Sequence, residues 1–308
     1  MIVLWIFIFL FVVAFDFSAS VREDAFAAHR YAEESEGYYV ALAGFERGLY
    51  ELLQRFSQPL RSTLSPATEL FDGDWREESY GEGSYSVRFT DEAGKVNLNR
   101  VDQETLRRIF TNLGVEEPRR SILVDAILDW IDEDDLHRAS GAESDYYMSL
   151  SPAYTAKNGR FDTVEELLWV RGVTAELFYG EEGEAGLRDI FSVDSPIDRI
   201  NLRTASAEVI HALVGLPLEK SREFVEERKK SSESTAADLL KILGIAAGDA
   251  AIRQLVFVNP TVITIESRGG RKDSVTRRQV KGVIRLAAGR QGYQLARWVD
   301  RDMTGNRQ

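Results

Sequence analysis

The sequence predicts an α+β protein: one long N-terminal helix, a β-sheet, and a large all-helical segment inserted between the strands of that sheet. Three observations lead there. An apolar run opens the chain and passes, without a Pro, into an amphipathic helical pattern lasting to about Phe56. One strand-like alternation precedes a long helical block, and three follow it. The helical block also carries an internal repeat, the mark of a self-contained insertion.

The first element begins with Met1 to Phe15, apolar without exception; the first charge is Asp16. Fifteen residues are few for a spanning helix, which needs about 20, but the helix is expected to continue. No Pro lies between Val21 and Phe56, and Ala25, Ala28, Leu42, Phe45, Leu49, Leu52, Leu53 and Phe56 recur at three- and four-residue steps. At 1.5 Å per residue such a helix is a rod of roughly 85 Å. No basic residue precedes the apolar run, and no small-residue cleavage motif follows it; Phe17 to Ser20 is the nearest match. The segment reads either as an uncleaved signal anchor or as a spine, half in a bilayer or helix bundle and half packed on a head. The second reading is preferred, and both weigh against a free cytosolic enzyme. Residues 1–22 are assigned to a membrane or assembly helix, and 23–95 to the spine and the first part of the core.

Pro59 to Gly83, with Pro66, Gly73 and Gly81, reads as loop. Ser84 to Thr90 alternates, with Tyr85, Val87 and Phe89 on one face. Residues 96–250 are helical by periodicity: Leu106, Ile109, Phe110 and Leu113 form one stripe, and Ile122, Leu123, Ala126, Ile127, Trp130 and Ile131 another. Residues 251–308 return to strands at Thr261–Glu266, Gln279–Leu286 and Tyr293–Val299, with Gly269 to Asp273 as turn material. The strand order predicts that 84–90 shares a sheet with 261–266 and 279–286. Within the block, Val96-Asn97-Leu98-Asn99 is echoed by Ile200-Asn201-Leu202-Arg203, and Glu166-Leu167-Leu168 before Gly172-Val173 by Asp238-Leu239-Leu240 before Gly244-Ile245.

Composition narrows the function. Net charge is −12, which weighs against a nucleic-acid partner. The charge is uneven: Asp125 to Asp145 holds eight acids and one Arg, whereas Asn259 to Gln308 holds eleven basic residues and four acids. Such faces of opposite sign could orient the molecule among neighbours. There is no Cys, so no disulfide ties the head. His29, His137 and His211 are far apart, with no zinc spacing. No Ser/His/Asp array, P-loop or G-x-G-x-x-G is present.

The repeat resembles tandem helix-hairpin-helix or SAM-like modules, and that resemblance brings a rival function. Such modules bind DNA through backbone N–H groups at a Gly-apolar-Gly turn, with basic side chains nearby. The candidate turns are Val214-Gly215-Leu216-Pro217 and Arg171-Gly172-Val173-Thr174. Both lack the second Gly, and Pro217 has no N–H to give. The basic cluster near one of them is Lys220, Arg222, Arg228, Lys229 and Lys230. The repeat therefore reads as a packing scaffold, with a membrane-anchored DNA-binding or DNA-uptake protein as the alternative.

Taken in order, a set of short motifs resembles the minor pseudopilin K (GspK-like) family of bacterial type II secretion systems. They are Val3-Leu4-Trp5, Ala43-Gly44-Phe45-Glu46-Arg47-Gly48, Asp91 to Asn99, Asp129-Trp130-Ile131-Asp132-Glu133-Asp134, Gly141-Ala142-Glu143, Phe161 to Leu167 and Ile200-Asn201-Leu202. The resemblance implies a pilin-like helix packed on an antiparallel sheet and enlarged by a helical insertion. It also implies a periplasmic head on a single-pass inner-membrane anchor, other minor pseudopilins as partners, and a role at the pseudopilus tip in initiation or capping. Neither nucleic acid nor a small-molecule substrate is expected, and no catalysis. Pilin-like subunits generally carry a Glu near the mature N-terminus, which is thought to pair with a neighbour's terminal amine. A buried unpaired carboxylate is costly, and a tip subunit has no neighbour ahead. This chain has no acid before Asp16, in keeping with the K type. Two departures stand out. The head lacks the Cys often found in the family, and the basic leader ending in Gly is not seen. The expectation is a mature form or a start inside the gene, and Trp5 so near the beginning favours the latter.

The acidic stretch is the candidate site. Asp125, Asp129 and Asp132 share one side of a helix, Asp134 and Asp135 follow in the loop, and Glu143 and Asp145 lie beyond Gly141. Hard oxygen ligands at irregular spacing suit Ca²⁺, although no EF-hand loop exists. The expected ligands come from Asp129, Asp132, Asp134, Asp135, Glu143 and Asp145. The competing reading is a helix cap with a solvated acidic loop in which Arg138 offsets part of the charge. Paired carboxylates also suggest a glycosidase, but no aromatic-lined sugar site is identifiable.

Overall fold

The computed structural model describes residues 1–57, 70–181, 184–230, 235–244, 250–287 and 292–302. Pro59, Pro66 and Ile245, used in the sequence reading, lie outside these residues. Helix α1 (Ile2–Ser57) is continuous. From Ile2 to Tyr31 almost every side chain is exposed, and its best eighteen-residue window has a mean hydropathy of 2.6, long and apolar enough to cross a membrane. From Gly37 onward one face is buried: Val40, Ala41, Phe45, Leu49 and Leu52. That spacing is the stripe of a helix with one partner surface.

The partner is built by strands on either side of the insertion. Strands β1 (Arg76–Tyr80) and β2 (Gly83–Asp91) form a hairpin. Strand β1 corrects the reading of Pro59–Gly83 as loop: Arg76-Glu77-Glu78-Ser79-Tyr80 is mostly exposed and lacks apolar alternation. Only its pairing to β2 makes it a strand.

The insertion follows. Its first unit runs β3 (Val96–Asn97), α2 (Gln103–Asn112), α3 (Arg119–Ile131), α4 (Ser144–Met148), α5 (Ala175–Tyr179), α6 (Leu187–Ile190) and β4 (Phe191–Ser192). The second runs β5 (Ile200–Asn201), α7 (Ala207–Val214), α8 (Leu218–Lys230), α9 (Ala236–Leu243) and β6 (Leu255–Val256). Each unit closes on itself. Its opening strand pairs in parallel with its closing strand, Val96 with Phe191 and Ile200 with Leu255. The repeated Asn holds each clasp. Asn97 Nδ2 donates to Ser195 O at 2.8 Å while Asn97 Oδ1 accepts from Asn99 N. Asn201 Nδ2 donates to Val258 O at 2.9 Å while Asn201 Oδ1 accepts from Arg203 N. The following Leu98 and Leu202 are fully buried in a core shared by both units.

The helix turns of the repeat fall on left-handed glycines: Gly114 after α2 matches Gly215 after α7, and Gly172 matches Gly244. The match of Gly172 with Gly244 is the one the repeat predicts, whereas the first unit's counterpart of the Gly215 turn is Leu113-Gly114-Val115, which the sequence reading did not name. Asn112 Nδ2 donates to Ala212 O at 2.9 Å and joins the two hairpins.

The chain then returns through β7 (Val262–Arg271), β8 (Arg278–Leu286) and β9 (Tyr293–Asp302). The sheet order is β1-β2-β7-β8-β9, antiparallel throughout, with Phe89 opposite Ile265 and Thr264 opposite Val283. Strands before and after the insertion therefore share one sheet, as their order predicts. Tyr85, Val87, Phe89, Ile263, Ile265, Val280 and Ile284 face α1 and bury Phe45, Leu49 and Leu52 in a second core. Full burial of one such side chain contributes about 1.5–3 kcal/mol. Gly269-Gly270-Arg271 is not turn but the end of β7. Gly269 is there for close approach, because a Cβ would strike the backbone of Ala41.

Candidate metal centre and assembly surfaces

Helix α3 delivers Asp125, Asp129 and Asp132 toward one loop, because residues three and four apart lie on one helix face. The loop wraps back over them. Ser140 N donates to Asp125 Oδ2 at 3.0 Å, and Arg138 N to Asp129 Oδ2 at 3.1 Å. Arg138 Nη1 bridges Asp129 Oδ1 and Asp132 Oδ2, each at 2.5 Å. Asp129 is fully buried, and burial pushes its carboxyl up against the opposing pull of Arg138. Gly141 packs so close to Asp129 that any Cβ would overlap its carboxylate. Arg171 Nη1 donates to Gly141 O at 2.9 Å and holds the loop from the other side.

The remaining carboxylates sort into two groups. Asp132, Asp134 and Glu143 each offer one oxygen to a cluster whose atoms all lie within 4.8 Å of one another. Asp135 Oδ1 instead accepts from Asn158 Nδ2 at 2.9 Å, and Asp145 Oδ1 from Tyr146 N at 2.7 Å in the first turn of α4. Of the six expected ligands, the structure thus brings three together. It commits Asp129 to Arg138 and places Asp135 and Asp145 outside the cluster.

Glu143 is the informative member. It is buried, and neither carboxylate oxygen has a hydrogen-bond partner; Asp132 Oδ1 is likewise unpartnered. Burial, then repulsion from Asp129, Asp132, Asp135 and Asp134, pushes Glu143 up to about 7. Buried carboxylate oxygens without donors are costly. Oxygens of one calcium shell, at 2.3–2.6 Å from the ion, are at most about 5 Å apart, so the spread of these three fits that ion. Beneath the loop, Trp130 meets Tyr147 edge-on at 5.3 Å and stacks near Phe161 at 6.3 Å, which fixes the floor.

A second polar centre joins the sheet to the insertion. Asp91 ends β2, and its Oδ2 accepts from Asn201 Nδ2 at 2.9 Å and Thr204 Oγ1 at 2.7 Å. Burial pushes Asp91 up to about 6 against these hydrogen bonds. The buried Glu92 accepts from the hydroxyls of Ser192 and Thr264. Asp91 and Glu92 open the longest motif of the sequence, but nothing in their spacing announced that their partners lie 100 to 172 residues away.

Three members of the basic cluster of α8 are committed within the chain, and Lys220 and Lys230 stay exposed. Arg228 is buried and donates to Leu202 O and Ala205 O, Lys229 pairs with Asp74 and Glu226, and Arg222 pairs with Glu219. The apolar half of α1 is the largest exposed hydrophobic surface among the described residues, with Phe26 70% and Tyr31 74% exposed at its upper end.

Residues 90–179 match the family model described as type II secretion system (T2SS), protein K. Over part of its length the chain is similar to type II secretion system protein K. It is 26% identical to that protein of Klebsiella pneumoniae over 194 residues, 57% of this chain and 58% of the relative. It is 28% identical to the Pseudomonas aeruginosa protein over 174 residues, 52% and 49% of the two chains. The chain thus spans about half the length of these curated relatives. The fold is that of a chain in the crystal structure of the GspK-GspI-GspJ complex from enterotoxigenic Escherichia coli, with a TM-score of 0.66 and 17% identity, covering 89% of this chain and 99% of that one. The protein K match begins at the Asp91 junction and includes the acidic loop with its three clustered carboxylates.

Proposed function

We propose that this protein is a minor pseudopilin of a type II secretion system, seated at the pseudopilus tip and acting in its initiation or capping. The observation that carries the reading is α1: an exposed apolar half continuous with a half packed on a sheet that bears a large helical insertion. Such a subunit works by assembly rather than by chemistry. The apolar half anchors it in the inner membrane and packs with other pseudopilin helices, while the head stands in the periplasm and blocks addition above it. Its partners are other minor pseudopilins, of the kind that GspI and GspJ represent in the related complex. The test is co-purification of the full chain in detergent with the minor pseudopilins of its own operon, beside a DNA titration at two salt concentrations. A salt-insensitive complex is expected. DNA binding that weakens steeply with salt, with no such complex, would restore the helix-hairpin-helix alternative.

Calcium binding belongs to the same proposal. Asp132, Asp134 and Glu143 would hold the ion, supported by the unpartnered oxygens of Glu143 and Asp132. The ion would neutralise the acidic loop and tie α3 to the start of α4, a structural rather than catalytic service. Millimolar calcium should raise the melting temperature of the full chain, since a ligand bound only by the native state stabilises it. An unchanged melting temperature would rule the site out.

A further inference from the structure

At the junction of the two repeat units lies a cleft of about 190 Å³, lined by Arg100, Arg199 and Arg253 together with Asp102, Asp198 and Gln254. The first unit contributes Arg100 and Asp102 from the turn between β3 and α2, the link between units contributes Asp198 and Arg199, and the approach to β6 contributes Arg253 and Gln254. The walls are fixed by other work. Asp102 caps α2, accepting from Thr105 N at 2.8 Å, and Gln254 Nε2 reaches Thr105 Oγ1 at 3.4 Å.

All three arginines are exposed at the mouth of this cleft. The protein carries 50 acidic and 38 basic residues. Several surface arginines on the insertion pair with carboxylates, Arg107 and Arg120 with Glu117, Arg108 with Glu104 and Arg222 with Glu219, whereas, among the described residues, Arg160 and Arg203 do not. Among the described residues Arg100, Arg199 and Arg253 have neither an ion pair nor a side-chain hydrogen bond, although all three line one cleft. A guanidinium cannot shed its proton to relieve the repulsion. Of the two carboxylates present, Asp102 already accepts from the α2 backbone and Asp198 has no hydrogen bond among the described residues, so three arginines against two aspartates leave the cleft with one net positive charge. An oxyanion from outside would meet that surplus. A planar guanidinium fork makes paired, charge-assisted hydrogen bonds to oxyanions, and three forks around a small cleft suit a compact group with several equivalent oxygens.

We propose that this cleft is a binding site for a phosphate-type oxyanion, held by Arg100, Arg199 and Arg253. Free inorganic phosphate and the phosphate of a lipid headgroup present the same chemistry. The site does not depend on the assembly role or on calcium.

The test is thermal unfolding of the full chain in detergent micelles with neutral headgroups, titrated with inorganic phosphate while sodium chloride holds ionic strength constant. A saturating rise in melting temperature at millimolar phosphate is expected. R199Q/R253Q should need roughly tenfold more phosphate or lose the response. R222Q, whose side chain pairs with Glu219 away from the cleft, should respond as the parent chain does. If the double variant does not fold, R253Q alone is read in the same way. A chain without a saturating response, or one whose response survives in the cleft variants, overturns the proposal. A second arm separates the sources. In phosphatidylcholine vesicles, a further stabilisation by phosphatidylglycerol that needs Arg199 and Arg253 assigns the site to lipid, and its absence assigns it to free phosphate.

Discussion

At the scale of single residues, the acidic loop is shaped by contacts that leave little room for substitution. Gly141 is a Gly because the Asp129 carboxylate fills the space of a Cβ, and Asp129 cannot retreat while Arg138 holds it. Gly141→Ala should therefore destabilise the chain by about 1–3 kcal/mol, measured by denaturant unfolding; a neutral result would mean the loop is looser than its hydrogen bonds imply. Glu143 separates metal binding from loop stability. Glu143→Gln removes a buried carboxylate with no donor, so it should leave the metal-free chain equally or more stable while abolishing the calcium-induced rise in melting temperature. Asp91 gives a pH dependence. Its folded value of about 6 lies above the ordinary 3.8, so the fold penalises the ionised form. That penalty is present above pH 6 and is relieved as pH falls from 6 towards 4. It is worth up to about 3 kcal/mol. Asp91→Asn should flatten the stability profile across that window, and an unchanged profile would show that Asp91 titrates normally.

At the scale of elements, the spine helix and the repeat clasps carry the architecture. Helix α1 approaches the sheet closely because Gly44 faces Ser267 and Tyr85, and a Cβ there would overlap both. Gly44→Leu should push the helix off β2 and β7 and cost about 3 kcal/mol or more. Proteolysis of the full chain within residues 37–57 would report the loosening, and resistance equal to the parent chain would argue against tight packing there. In the insertion, the two-residue strands are too short for any periodic signal. They exist because Asn97 and Asn201 satisfy the backbone around them.

At the scale of the whole molecule, two hydrophobic cores meet across a polar seam. The core against α1 and the core of the insertion are separate clusters. Between them stand Asp91 with Asn201 and Thr204, Glu92 with Ser192 and Thr264, and Arg297 with Asp194 at 3.4 Å. Directional bonds fix one orientation of the insertion on the sheet, where an apolar seam would tolerate several. The same division explains the long exposed start of α1. The head is complete without residues 2–31, so their apolar surface is left for a bilayer or neighbouring helices.

What the sequence determined by itself is whatever rests on local periodicity and order along the chain. Helix α1, the alternation of Tyr85, Val87 and Phe89, the tail strands, and the Asn-Leu repeat were legible because each reports which side of an element meets a core. The density of acids between Asp125 and Asp145 was equally plain. Tertiary structure alone decided which of those acids converge. Asp129 is drawn to Arg138 while Glu143 is left unpartnered, and only the path of the loop over Gly141 produces that difference. It also decided that Arg76 to Tyr80 is a strand, that Gly269 serves a close approach rather than a turn, and that Gly114 closes the first hairpin. The strand at Arg76 to Tyr80 exists only through its pairing with β2, and Gly269 answers to Ala41 more than two hundred residues away; local apolar periodicity records neither kind of contact.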